Sequence, residues 1–170
     1  MKILFDGVFN ADPTSGVHRY FYDLINNLPA EYYKFSTSSL SRTTIPHHYI
    51  PFFSHFRPHK FSFFLEYLWF KRKFYTCQFD CVHSAYYNLS KASQFLVQKK
   101  IPHVITVHDL IHEIFNVNNK TIINSRKPIL ENANAIITVS ENTKNDLLNI
   151  YPLVKEDKIL YNLLFNKSYS

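Results

Sequence analysis

Along the chain, short apolar runs alternate with longer stretches in which apolar residues recur at helical spacing. Ile3 to Phe5 is the first run, stopped by Asp6-Gly7, and predicts a buried strand. A polar loop from Asn10 to Gly16 follows. Val17, Tyr20, Phe21, Leu24, Ile25 and Leu28 then recur at spacings of three and four, which predicts a helix with one apolar face, closed by Pro29. Tyr32 to Ser38 reads as a second strand, and Ser36 to Thr44 as a polar loop. Further strands are predicted at Phe79 to His83, His103 to Val107 and Ala135 to Val139. After the last of these, Ser140 stands at an N-cap, Glu141 in the first turn, and Leu147, Leu148 and Tyr151 supply an apolar side before Pro152. Lys158 to Tyr161 is a final short strand. The alternation predicts an α/β domain with a mostly parallel sheet, undivided by any repeat or low-complexity linker.

One segment, Ile45 to Thr76, departs from this rhythm. It holds His47, His48, His55 and His59, a dense series of aromatics through Phe70, and Arg57, Lys60, Lys71, Arg72 and Lys73 around them. A helix from Phe61 to Phe70 would be apolar nearly all round, with only Ser62 and Glu66 polar. Such a helix is buried in a core or between domains, seated at a membrane interface or lipid acceptor, or used to stack on nucleic acid.

The length of 170 residues suits one domain, and 46% apolar residues can fill its core. The net charge of +6 favours anionic partners without choosing among them. Only two glycines occur, which excludes the three-glycine dinucleotide fingerprint. Cys77 and Cys81 have no second ligand pair at zinc spacing, so they read as reduced thiols, and no metal is expected. Lys2 to Phe5 is too short for the apolar stretch of a signal peptide, and no run reaches the roughly 18 residues a bilayer span needs. A cytoplasmic location is expected.

Ligands of parallel α/β sheets bind beyond the carboxyl ends of the strands, where helix N-termini favour anions. Three loops are expected at that edge. Asp12 to Gly16 precedes the first long helix, and serves either as a plain helix cap or as a phosphate loop in which Gly16 permits close approach. Thr106-Val107-His108-Asp109 ends a buried strand and offers a polar pair to a sugar or carbonyl. The residue after His108 is Asp rather than Glu, so the zinc pattern H-E-x-x-H is absent, and no G-x-S-x-G turn supports a hydrolase triad. Val139-Ser140-Glu141 is the third loop, and a plain N-cap explains it fully.

In this order, the loops resemble those of glycosyltransferase family 4. Ser15-Gly16-Val17-His18-Arg19-Tyr20 resembles the family's acceptor-side glycine loop, and Asp80-Cys81-Val82-His83-Ser84-Ala85-Tyr86-Tyr87 is similar to one of its strand ends. Val104 to Leu110, Ala133 to Leu147 and Glu156 to Asn162 resemble three further pieces, so the likeness spans residues 2 to 162. The resemblance implies one Rossmann-like, three-layer half of a GT-B enzyme, occupying residues 1–170 as a single acceptor-side domain. Such enzymes transfer a sugar, here a hexose, from a nucleotide-diphosphate donor to an acceptor, usually with retention and without metal or cofactor. It implies that Ser15, Gly16 and Arg19 lie near the donor diphosphate and that His108 contacts the transferred sugar. His83, Asp109, Ser140 and Glu141 would line the same cleft. Arg57, Lys60, Trp69, Lys71, Arg72 and Lys73 would shape an acceptor site beside a membrane, suited to anionic lipid or a polyprenyl phosphate. After Asn162 the family continues into a donor-binding domain, whereas Leu163-Leu164-Phe165 follows here and no E-x7-E pattern replaces the missing glutamates. The expectation is therefore an enzyme half, inactive or nearly so alone, that works with a donor-binding half in the same polypeptide or a partner chain. The alternative is a non-catalytic membrane- or protein-interaction module. No RRM, KH or helix-turn-helix signature supports nucleic acid as a partner.

Overall fold

The computed structural model describes residues 1–6, 16–29, 31–36, 48–49, 56–84, 95, 98–115 and 119–161. They fall into two compact units, Met1–Ala85 and Tyr86–Ser170. The first contains β1 (Lys2–Asp6), α1 (Gly16–Asn27), β2 (Tyr33–Ser36), β3 (His48–Tyr49), α2 (His59–Cys77) and β4 (Cys81–Ser84). Its strands lie side by side in the order β3-β2-β1-β4, all parallel, with Leu4 opposite Phe35 on one side and Val82 on the other. Parallel neighbours need crossovers, and α1 and α2 supply helical ones. Helix α1 forms because Val17, Tyr20, Phe21, Leu24 and Ile25 share one face. That face brings Tyr20, Phe21 and Ile25 against Ile3 and Phe5 of β1. Phe21 is fully buried, worth roughly 1.5–3 kcal/mol for such a side chain. Strands β1 and β4 are also tied at their starts: Lys2 N donates to Asp80 Oδ2 at 2.7 Å, and Asp80 N to Lys2 O at 2.9 Å.

Helix α2 extends beyond the expected stretch Phe61 to Phe70, and its apolar residues divide between two environments. It turns Ser62, Phe70 and Phe74 inward and leaves Phe61, Phe64, Leu68 and Tyr75 exposed. Inward Ser62 is satisfied, because its Oγ accepts from Phe56 N at 3.3 Å. The helix stops at Gln78, a non-glycine residue in the left-handed region at φ 50°. The fourth strand begins at Cys81 rather than at Phe79, whose ring is instead buried 5.9 Å from that of Phe74.

The second unit contains β5 (His103–Val107), α3 (Ile111–Phe115), α4 (Asn119–Asn132), β6 (Ala135–Thr138), α5 (Glu141–Ile150), a 3-10 turn at Glu156–Lys158 and β7 (Ile159–Tyr161). The strands run parallel in the order β5-β6-β7. Ile105, Val107, Ile136 and Ile159 of the strands meet Ile129 and Leu130 of α4 and Leu147 of α5 in one core. The predicted strand 103–107 and the helix after Ser140 are present, and the strand expected over 135–139 ends one residue earlier, at Thr138. Helices α3 and α4 are additions to the sequence reading. Lys158, expected in the last strand, lies in the 3-10 turn, and its Nζ closes the end of α4 by donating to Glu131 O at 3.3 Å and Ala133 O at 3.0 Å.

Both units are α/β with parallel strands, the expected Rossmann-like class. Among the described residues no helix is long and apolar enough to cross a membrane, and no three potential metal ligands cluster. Cys77 and Cys81 are free thiols. Ser15 and most of the loop expected at 36–44 lie outside the described residues.

Candidate functional site

Strand β5 is buried through Thr106 and Val107, and the chain then emerges at half-buried His108 and exposed Asp109. Its neighbour β6 ends in register, with Val107 opposite Thr138, so the loops that follow the two strands start side by side. Ser140 caps α5 from an extended backbone, and its Oγ accepts from Thr143 N at 3.1 Å. The Ser140 and Thr143 hydroxyls are 2.8 Å apart, and Thr143 Oγ1 donates to the His108 carbonyl at 3.4 Å. Thr143 has one hydroxyl proton, and His108 O takes it, so Ser140 is the donor between the two hydroxyls. The cap thus does two things: it satisfies the helix end and ties it to the loop bearing His108.

Burial pushes the His108 imidazole below its ordinary pKa of 6.5, and the neighbouring Asp109 charge partly opposes that shift. The ring is therefore predominantly neutral at pH 7, able to donate from one nitrogen and accept at the other. Asp109 Oδ1 accepts from Ile111 N at 3.2 Å and starts α3. Exposed Glu141 sits in the first turn of α5, favourable to the helix dipole. His108, Asp109, Ser140 and Glu141 therefore share one edge of the second unit.

In the first unit, Gly16 and Arg19 are exposed at the start of α1. A methyl group added at Gly16 would meet nothing within 4 Å among the described residues, so packing against them does not require glycine there. His83 ends up in a different setting. It is 7% exposed, with its ring 5.5 Å from Phe5 and 5.2 Å from Phe21, so it is part of the aromatic core where β1, β4 and α1 meet. Of the basic and aromatic candidates, Arg57, Lys60 and Arg72 are exposed, and Trp69 and Lys71 are half-buried. Lys71 Nζ lies 5.7 Å from the Tyr67 ring centroid. The side chain of Lys73 lies outside the described residues.

The sequence reading missed Glu113, whose side chain is fully buried. Its Oε1 accepts from Arg126 Nη1 at 2.7 Å and from the Tyr151 hydroxyl at 3.1 Å. Burial, and then the Glu113 charge, push the Tyr151 hydroxyl well above its ordinary pKa of 10. The available signal was an acid at the centre of the apolar stretch Leu110 to Phe115.

No curated protein matches the sequence significantly. Among solved structures, a sucrose-phosphate synthase from Thermosynechococcus elongatus superposes with a TM-score of 0.56 at 16% identity, covering 95% of this chain and 87% of that one. At that identity the likeness concerns the fold alone. The sequence itself matches the profile of Glycosyltransferase Family 4 over residues 14–161, from the loop before α1 to the last residue of β7. That span takes in every element except β1, together with both strand ends joined through Thr143, and the chain belongs to Glycosyltransferase Family 4.

Proposed function

We propose that this chain is the acceptor-side half of a glycosyltransferase that moves a hexose from a nucleotide-diphosphate donor to a lipid or glycan acceptor. In this reading transfer proceeds with retention and without a metal. The observation that supports it best is the linked edge of the second unit, where neutral His108 is held through Thr143 to the Ser140 cap. A neutral imidazole suits a sugar: it hydrogen-bonds hydroxyls without attracting a competing anion. Ser140, Glu141 and Asp109 extend that polar edge. Ser15, Gly16 and Arg19 meet the diphosphate at the α1 N-terminus, where backbone N–H groups and the helix dipole favour anions. His83 supports that end from within the core. A donor-binding half, in the same longer polypeptide or a partner chain, supplies the second wall, which excludes water and neutralises the leaving diphosphate. Without that wall, turnover is negligible.

The test combines the chain with a donor-binding half and offers UDP- or GDP-hexoses with a polyprenyl phosphate in detergent. Transfer is expected, and His108→Ala should lower kcat/KM about 100-fold, in the range of a lost transition-state hydrogen-bond donor. Unchanged turnover would remove His108 from the site.

A second reading is favoured by one observation, the exposed Phe64 and Leu68 of α2 close in sequence to Arg57, Lys60, Lys71, Arg72 and Lys73. In that reading the chain is a non-catalytic module that docks on an anionic membrane or a protein. Flotation with anionic vesicles, in the absence of any transfer activity, would favour it. In the enzymatic reading, the same surface of α2 binds the anionic lipid acceptor.

A further inference from the structure

Helix α3 is built the wrong way round for a short amphipathic helix. Ile111, Ile114 and Phe115 are 55%, 44% and 78% exposed, while Glu113 is buried. Five residues cannot sustain a helix on backbone hydrogen bonds alone, and the apolar positions that could anchor it point to solvent. Leu110, buried just before the helix, and the Glu113 carboxylate are what face inward. That carboxylate joins three elements, since Arg126 belongs to α4 and Tyr151 follows α5 directly. Its other oxygen, Oε2, is buried with no hydrogen-bond partner among the described residues. A half-satisfied carboxylate is a poor device for stability alone, and buried ionic groups of this kind are best attested as devices that fix a register.

The register in question is that of His108. The segment from His108 to Glu113 is held at both ends, by Thr143 of α5 at the His108 carbonyl and by Tyr151, just after α5, at Glu113. These two attachments lie eight residues apart, roughly 12 Å along the helix axis. Between them the turn is closed by Ile111 N to Asp109 Oδ1 and by Ile114 N to Leu110 O at 3.0 Å. We propose that Glu113 is a positioning residue for His108: gripped by Arg126 and Tyr151, its carboxylate fixes α3 and so holds the His108 imidazole in its half-buried place. The functional meaning rests on the role given to His108 above, whereas the positioning itself does not.

The experiment reads the imidazole without needing turnover. In the 170-residue chain labelled with nitrogen-15 histidine, His108 is assigned by the signal lost in His108→Gln, and its titration and its reaction with diethylpyrocarbonate are followed in Glu113→Gln and Tyr151→Phe. His103, buried at the opposite end of the same strand, is the internal reference. If Glu113 positions His108, both variants raise the His108 titration midpoint toward 6.5 and speed its modification about tenfold, as expected when a charge-assisted hydrogen bond that closes a segment is lost, and His103 does not change. Asp109 is the charged neighbour that acts on His108 in the native chain. Loss of the Glu113 charge would by itself lower the midpoint, so a rise separates positioning from direct electrostatics. An unchanged His108 overturns the proposal, and so does a parallel change at His103, which would mean general loosening. Should Glu113→Gln fail to fold, Tyr151→Phe decides the question by the same readout. If His108→Ala leaves transfer intact while these shifts are seen, the functional reading fails and the positioning stands.

Discussion

Gly16 and Ser140 both stand at the start of a helix, yet their environments ask different things of them. Ser140 has a structural duty, since its hydroxyl satisfies Thr143 N and feeds the bridge to His108. Gly16 has none that packing against the described residues shows, because a methyl group there would meet none of them within 4 Å. Gly16→Ala should therefore leave stability unchanged or raise it by up to about 1 kcal/mol, the helix-propensity difference between the two residues. In the assembled enzyme, the same substitution should weaken the donor KM if backbone N–H groups must approach a diphosphate. Urea unfolding and donor titration measure the two effects separately, and an unchanged KM would reduce Gly16 to a helix start. His108 and Ser140 were legible in the sequence because a polar residue directly after a buried β-branched strand announces an edge. Glu113 was not: its partners Arg126 and Tyr151 lie 13 and 38 residues further on, and no local pattern ties them to it.

Among the elements, α2 shows how composition can mislead when a pattern is read alone. Its aromatic stretch gave no period, so its two faces were invisible until Phe70 and Phe74 were seen buried and Phe64 and Leu68 exposed. The faces predict opposite consequences. Phe74→Ala should cost about 3–5 kcal/mol, as for aromatic deletions in a core. Phe64→Ser should stay within about 0.5 kcal/mol. Chemical denaturation of both variants checks this, and equal losses would mean the outward face is covered in solution. The double variant Phe64→Ser with Leu68→Ser should also abolish vesicle flotation if α2 is the membrane-facing element. Helix α4 escaped for another reason. Pro128 interrupts its pattern and ordinarily ends a helix, yet here the helix runs on to Asn132. Asn132 Nδ2 donates to Pro128 O at 2.7 Å, and the Lys158 ammonium closes the carbonyls at the end, a long-range aid no local reading supplies. Six of the strands and α1 were legible from their apolar runs, whereas β3, two residues inside the aromatic and basic segment, carried no run of its own.

For the molecule as a whole, the decisive balance is between a basic surface and buried neutral imidazoles. Nine histidines would raise the net charge from +6 to +15 on acidification, and the resulting repulsion favours unfolding. Two of these histidines resist protonation in the folded chain. Burial holds His103 down to about 4 against an ordinary 6.5, and His108 is shifted in the same direction. Between pH 6.5 and 4 the unfolded chain therefore binds more protons than the native one, so stability rises with pH across this window and falls on acidification. The contribution of His103 is fully present above pH 6.5 and is lost progressively down to its folded value, about 1.4 kcal/mol per pH unit and about 3 kcal/mol in all. Salt separates the two causes. At 1 M ionic strength the screening length is about 3 Å, which suppresses repulsion between surface charges but leaves the cost of charging a buried ring. Unfolding free energies measured from pH 7 to 5 in 1 M salt should still fall with the histidine slope, and His103→Gln should flatten it. A slope abolished by salt would assign the acid sensitivity to surface charge and contradict the buried, neutral state of His103.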